Sequence, residues 1–451
     1  MTETLDRQRR ADEPALAALR LHPFYRGKIQ TALKCPVRTL DDFAVWYTPG
    51  VAASSRAIAA DPELVYSHTN KGNTIAIVSD GSRVLGLGDI GPEAGLPVME
   101  GKALLFKYLG GVDAVPICID AHSPDDIVRL VEMLQPSFGA VNLEDISQPK
   151  CFEVLDRLRA SMRIPVWHDD QQGTATVVVA ALRNALEIVG KPIDAIDIAL
   201  IGMGAANVAV LKLLEAAGID PGRVVACDSA GILGLHRDDI EQRRLEFPDK
   251  WQVCRRTNAR HCTGGNSEAI SGADVCIAFS KPGPDTIEPA WIADMADDAI
   301  VFACANPTPE IWPWAATAAG ARIVCTGRSD FPNQVNNSLG FPGIFRGVLD
   351  VRASRITDEM ALAAADVLAG YARRRGLVHG LLPTMTEWEV VPEIAAAVGM
   401  TAQRQGLAAI ERSHDDLVAA ARTAIETARA ATDVLMEHGI ISEPPPASAA
   451  E

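Results

Sequence analysis

Two acidic clusters stand at the ends of apolar runs, VNLEDI (141–146) and PVWHDDQQGTA (165–175), and a lysine, Lys102, lies upstream in PVMEGK. Carboxylates gathered at strand ends suit a hard divalent cation, and a lysine in reach can serve as a base, a set fit to oxidise or decarboxylate a small acid. Taking hydride and carbon dioxide from a 2-hydroxy acid with a β-carboxylate requires a base for the hydroxyl proton, a hydride acceptor, a cation on the oxygen and an acid for the enolate left behind. Glu144, Asp145 and Asp170 offer the cation ligands, and an all-oxygen set points to Mg2+ or Mn2+ rather than zinc or iron. Lys102 is the candidate base, with burial beside a cation to favour its neutral form and Asp169 to orient it. Tyr47 in WYTPG offers a phenol as the acid, and Arg83 a guanidinium fork for a substrate carboxylate. Asn336 and Asn337 in PNQVNNSLGFPG offer amides to substrate or nicotinamide. Each residue also has a plain structural role open to it: acids at strand ends cap helices, Asn pairs make turns, and helix lysines face water. The argument for chemistry is that they occur together.

These groups need a scaffold to bring them together. Residues from about 10 to 40 read as helix, Pro49 and Gly50 force a turn, and helix resumes at Val51. NTIAIVSDGSRVLGLGDIG predicts two strands with a turn, and PVMEGKALLFKYLGG a helix closed by a glycine pair. Strand and helix then alternate through VDAVPICID, SPDDIVRLVEMLQP, AVNLEDI, CFEVLDRLRAS and IPVWHDD, which implies a mostly parallel sheet. A long helix from Gly173 to about Gly190 leads into IDIALIGMGAANVAVLKLLEAAG, where an apolar strand meets Gly202-x-Gly204-x-x-Asn207 and a helix. In that context the motif is a dinucleotide-binding turn, with Gly202, Gly204, Ala205 and Asn207 at the pyrophosphate and Asp228, ending the next strand, on the ribose. Later strands put Ser280, Asn306 and Gly327 at carboxyl ends, facing the cofactor. The expected fold class is α/β: a substrate and metal domain over 1–165 with a mostly parallel sheet, a Rossmann-type doubly wound NAD(P)-binding domain over 166–400, and C-terminal helices over 401–451 ending in a loose tail, EPPPASAAE.

Composition narrows the partners. The 451 residues are 48% hydrophobic and 22% charged, ordinary for a globular protein with a sizeable core. A net charge of −16 argues against nucleic acid, whose binding draws on Lys and Arg neutralising phosphates. No run approaches the roughly 20 apolar residues of a membrane span, and no apolar run follows MTETLDRQRR to make a secretory signal. Nine scattered cysteines without a CxxC pair fit a reducing compartment, so a cytoplasmic protein without zinc or disulfides is expected.

In this order YTPGVA, VSDGSRVLGLGDIG, PVMEGKALLFK, VNLEDI, HDDQQGTA, CANPTPE and TGRSDFPNQVNNSLGFPGIFRG resemble the malic enzyme family, over about Asp42 to Arg352. The resemblance implies Tyr47 as general acid, Lys102 as general base with Asp169 as its partner, and Glu144, Asp145 and Asp170 as metal ligands. It further implies that Asn306 and Asn337 contact substrate and nicotinamide, that malate becomes pyruvate and carbon dioxide as NAD or NADP is reduced, and that the protein is a homodimer or higher homo-oligomer. Arg83, Asp89 and Gln172 stand where compact bacterial members commonly differ and look like the longer, eukaryotic-type pattern, in which the residue matching Arg83 grips a substrate carboxylate. Asn207 replaces a small residue common in the glycine fingerprint, and such departures leave a substituted malate open as substrate. Asp228 favours NAD, because a carboxylate there repels a 2′-phosphate, while Arg237, Arg243 and Arg244 downstream leave NADP open. Two other activities remain: a malolactic-type decarboxylation with bound NAD, and a silent paralogue that only binds acid and nucleotide.

Overall fold

A computed structural model describes residues 2–446 apart from 329, 378 and 379. The first half is built on four parallel strands, β1 (Thr74–Ser79), β2 (Asp113–Cys118), β3 (Ala140–Leu143) and β4 (Val166–His168), in the order β2-β1-β3-β4. Helices cover both faces, which is why β1 and β3 are apolar almost throughout instead of alternating. The register pairs Leu143 of β3 with His168 of β4. Both acidic clusters therefore leave neighbouring strands at the same level, and backbone pairing alone brings Glu144 and Asp145 beside Asp169 and Asp170.

The Pro92–Gly110 helix buries Met99, Lys102, Ala103 and Phe106. Their spacing of three, four and seven residues is one helical stripe, so Lys102 lies on the core-facing side. The second strand expected after Ser79 is not formed. Residues 80–91 are a loop with one isolated bridge, Val84 to Gly88. Arg83 N donates to Asp145 O at 3.0 Å, so the acidic loop captures a backbone donor that a strand would have used, and Ser147 N donates to Ser82 Oγ at 2.9 Å. The expected helix over 10–40 is likewise shorter: the first helix is Thr2–Tyr25, and left-handed Arg26 (φ 55°) ends it.

The second sheet contains β5 (Ile198–Ile201), β6 (Val224–Asp228), β7 (Gly231–Ile232), β8 (Val275–Ala278), β9 (Ile300–Ala303) and β10 (Ile323–Thr326). Its order is β10-β9-β8-β5-β6-β7, parallel except for antiparallel β7 at the edge. The chain runs outward from β5 to β6 and returns to β8 on the other side of β5, so the crevice between the ends of β5 and β8 is the switch point where doubly wound sheets bind ligands. Because β4 pairs with β3, the first sheet continues beyond residue 165.

Four helices, Phe341–Asp350, Asp358–Arg375, Val390–Arg404 and His414–Glu437, join the halves. Phe106 on the lysine-bearing helix meets Phe341 and Phe345 with ring centroids 4.5 and 5.0 Å apart. The described part of the tail is tied down rather than loose: Tyr25 Oη donates to Ser442 O at 2.7 Å and Arg20 to Pro445 O. Residues 447–451 of that tail lie outside the described residues. Among the described residues no helix is long and apolar enough to cross a membrane.

Candidate active site

A cleft of about 760 Å3 opens between the carboxyl ends of the two sheets. The first half lines it with Arg83, Lys102, Glu144, Asp145 and Asp170. The second half contributes Gly204, Ala205, Ser280, Asn306, Asn336 and Asn337. Residues distant in the chain thus share one crevice. A larger groove of about 920 Å3 lies among the last three helices and holds none of these groups.

At the cleft floor the Lys102 ammonium, 7% exposed, sits between Glu144 Oε1 at 2.9 Å and the Asp169 carboxylate, with which it makes a second close ion pair. Phe341 closes it from one side, its ring centroid 4.1 Å from Nζ. Burial pulls the lysine's pKa down, but the charges of Asp169 and then Glu144 outweigh it, and the net shift is upward. With both carboxylates in contact the group is an ammonium, and the neutral form expected from burial beside a cation requires that their charge be offset. Asp169 lies beneath the cleft, fully buried, and also accepts from Trp167 Nε1 at 2.9 Å.

The three proposed ligands crowd one another. Burial, ahead of the neighbouring Asp170 charge, pushes Asp145 up to about 8. Burial also raises Glu144 well above the carboxylate range despite Lys102, and Asp170, Asp169 and Asp145 add to the rise. Asp145 adopts a left-handed backbone (φ 54°), which Asp tolerates better than most residues, and its Oδ2 is buried without a hydrogen-bond partner. An orphaned carboxylate oxygen among like charges, in an oxygen-only set, fits a hard divalent cation. As they stand, no three His, Cys, Asp or Glu side chains among the described residues converge on one point. The reason is local: Glu144 is held by Lys102 and by Asn142 Nδ2 at 2.8 Å, and Asp170 Oδ2 accepts Asp145 N at 2.8 Å.

Two positions at the cofactor end differ from expectation. Asn207 is fully buried beneath the glycine turn, donating to Gly202 O at 2.7 Å and Ile201 O at 3.0 Å, so it braces the turn instead of facing the cleft. Asp228 does end β6, but its carboxylate accepts Arg237 Nη1 at 2.9 Å and Lys250 Nζ at 3.0 Å. These cations offset the charge on which a preference for NAD rested. Gly202 (φ 86°) has no room for a side chain, because a Cβ would stand 2.9 Å from Ser280 Cα. Asn336 spends its side-chain oxygen on Ser338 N at 2.9 Å, capping the turn that presents Asn337.

Tyr47 is not among the residues lining the cleft. It is 73% exposed, at the end of the Leu40–Trp46 helix. Neither that helix nor Val51–Ala60 after it buries a single residue, and Leu33, Leu40, Phe43, Val45 and Trp46 are all exposed. Sequence reasoning missed Asn142, Trp167 and His168, all fully buried. His168 Nδ1 lies 3.5 Å from Asp170 Oδ2, and burial lowers its pKa so that the ring is neutral. The available signal was their position, as polar-tipped residues inside the apolar runs that end in EDI and HDD.

Fold and site together define a two-sheet α/β protein with a dinucleotide-binding half and a cleft equipped for acid–base chemistry. Family models for the malic enzyme N-terminal domain and NAD binding domain match residues 26–159 and 171–403. The chain belongs to the malic enzyme family. It is 48% identical to an NAD-dependent malic enzyme of Geobacillus stearothermophilus, over 85% of this chain and 78% of that one. It is 47% identical to a bifunctional malic/malolactic enzyme of Bacillus subtilis, over 87% and 94%. The crystal structure of Entamoeba histolytica malic enzyme superposes with a TM-score of 0.95 at 45% identity, covering 99% of this chain and 93% of that one.

Proposed function

We propose that this protein oxidatively decarboxylates malate, or a substituted malate, to pyruvate or its analogue and carbon dioxide, reducing NAD or NADP. The observation that carries the reading is Lys102 buried between Asp169 and Glu144 on the floor of a cleft shared by both halves. Arg83 grips a carboxylate of the substrate, and Asn306 and Asn337 orient substrate and nicotinamide amide. With Glu144 drawn onto a cation, Lys102 would release its own proton to solvent and, as the free amine, take the hydroxyl proton, with Asp169 fixing its Nζ. A divalent cation, Mg2+ or Mn2+, held by Glu144, Asp145 and Asp170 would polarise the substrate oxygen and draw Glu144's charge away from Lys102. Gly204, Ala205 and Ser280 border the pyrophosphate path, and Asp228 with its two cations borders the adenosine ribose, where both cofactors are admissible.

The acid comes from elsewhere. Clustered exposed apolar residues mark an interaction site, and the segment 33–51 exposes Leu33, Val37, Leu40, Phe43, Val45, Trp46, Tyr47 and Val51. We assign its cover to a second copy of this chain, whose cleft receives the phenol that returns a proton to the enolate carbon. A homodimer then has two complete sites. Nine unpaired cysteines, most of them buried, support a reducing, cytoplasmic setting.

Purified protein with Mn2+, malate and NAD+ or NADP+ tests the reading: reduced nicotinamide and pyruvate should accumulate together and stop on chelation. Lactate without net cofactor reduction would replace it with the malolactic reaction. Binding of malate and nucleotide without turnover would make the chain a silent paralogue.

A further inference from the structure

Glu310 is fully buried and takes no part in the chemistry above. It follows β9 in CANPTPE, and its carboxylate reaches back across two strand ends. Oε1 accepts Ser280 N at 2.7 Å and Ser280 Oγ at 3.1 Å, while Oε2 accepts Ala305 N at 2.9 Å. Its backbone oxygen accepts Ile287 N at 3.0 Å, fixing the far end of the loop that follows β8. Backbone donors just past the ends of parallel strands have lost their ladder partners, and one carboxylate supplies acceptors to both.

Each clamped residue leans on a different part of the cleft. Ser280 lies against Gly202 of the dinucleotide turn, as its contact with any added Cβ there shows. Asn306, next to clamped Ala305, lies against Gly86 of the loop that carries Arg83; a Cβ on Gly86 would stand 2.0 Å from Asn306 O. One buried side chain therefore sets the spacing between the cofactor turn and the substrate loop.

We propose that Glu310 is a positioning residue that holds the Ser280 and Asn306 loops in register, so that cofactor and substrate meet at the right separation. The inference rests on the reading above that Ser280 borders the cofactor and Asn306 touches substrate or nicotinamide. Its mechanism is acceptor geometry. Glutamine keeps the size of the side chain, but its amide NH2 must face either Ser280 N–H or Ala305 N–H, donor against donor, and one loop is released.

The test compares Glu310→Gln, Glu310→Asp and a core control, Ile292→Ala, whose side chain is buried in the same domain away from the cleft. NADH affinity is read by fluorescence without malate, and malate kinetics are read separately, well below each melting midpoint. In E310Q the NADH Kd and the KM for malate should each rise at least about tenfold, and more than kcat falls, because donors are left unpaired. E310D, which keeps both acceptors on a shorter arm, should lie between E310Q and wild type and carries the test if E310Q does not fold. I292A should lose thermal stability with both constants unchanged. Constants within about twofold of wild type in the Glu310 variants, or an equal rise in I292A, would overturn the proposal. Wild-type protein that binds NADH without turning over malate refutes the functional reading instead, and the NADH affinities still decide the clamp.

Discussion

The cleft floor and the N-terminal arm make opposite use of polar chemistry. Around Lys102 every group is over-determined: two carboxylates hold the amine, Trp167 holds one carboxylate, Asn142 holds the other, and the strand register fixes all of them. Around Tyr47 the backbone is hydrogen-bonded, Tyr47 N to Phe43 O and Val51 N to Tyr47 O, but the two helices bury no residue and the phenol is 73% exposed. On the proposed reading, the base is positioned by folding and the acid by association. A catalytic pair split as proposed would tie activity to assembly, since a monomer would hold the base but lack a delivered acid.

The sharpest way to break the comparison is at the floor. Lys102→Ala should lower kcat by at least about a hundredfold, the contribution of a positioned base, while cofactor affinity stays near wild type. Near-normal turnover in steady-state assays would remove Lys102 from the mechanism. Asp170→Asn comes next, with an expected rise of about tenfold or more in the Mn2+ concentration needed for half activity, since one anionic ligand is lost. An unchanged metal requirement would exclude Asp170 as a ligand.

A smaller effect follows from the protonation of Asp145. Its pKa of about 8 lies above that of an unfolded aspartate, so the folded metal-free protein binds this proton more tightly and loses stability as pH rises toward 8. A cation that replaces the proton should reverse that loss. The rise in melting temperature on adding Mg2+ should therefore be larger at pH 8 than at pH 6, and a shift independent of pH would contradict the assignment.

Much of the floor was legible in the sequence because strand ends are punctuated: EDI after VNL, HDD after PVW and Gly202-x-Gly204 after IALI each mark where an apolar run stops. Lys102 was legible from its place in PVMEGK, but its charge was not, because that depends on Asp169 and Glu144, which arrive from other strands. The strand expected after Asp80 failed for a similar reason: Arg83 N and the Ser82 hydroxyl bind the acidic loop, a contact with no local signal. Asp228 read as a free ribose ligand because Arg237 and Lys250 return to it only through the tertiary fold. Tyr47 was recognisable by motif, yet no pattern of residues tells which copy of a chain a side chain will serve.

The most direct test of the split site mixes two inactive proteins, Lys102→Ala and Tyr47→Phe, under conditions that exchange subunits. If each cleft takes its phenol from the other copy, every mixed dimer contains one cleft with both Lys102 and Tyr47, and an equimolar mixture should regain about a quarter of wild-type activity. If no activity returns although mixed dimers are shown to form, base and acid belong to one chain and the account of the arm is wrong.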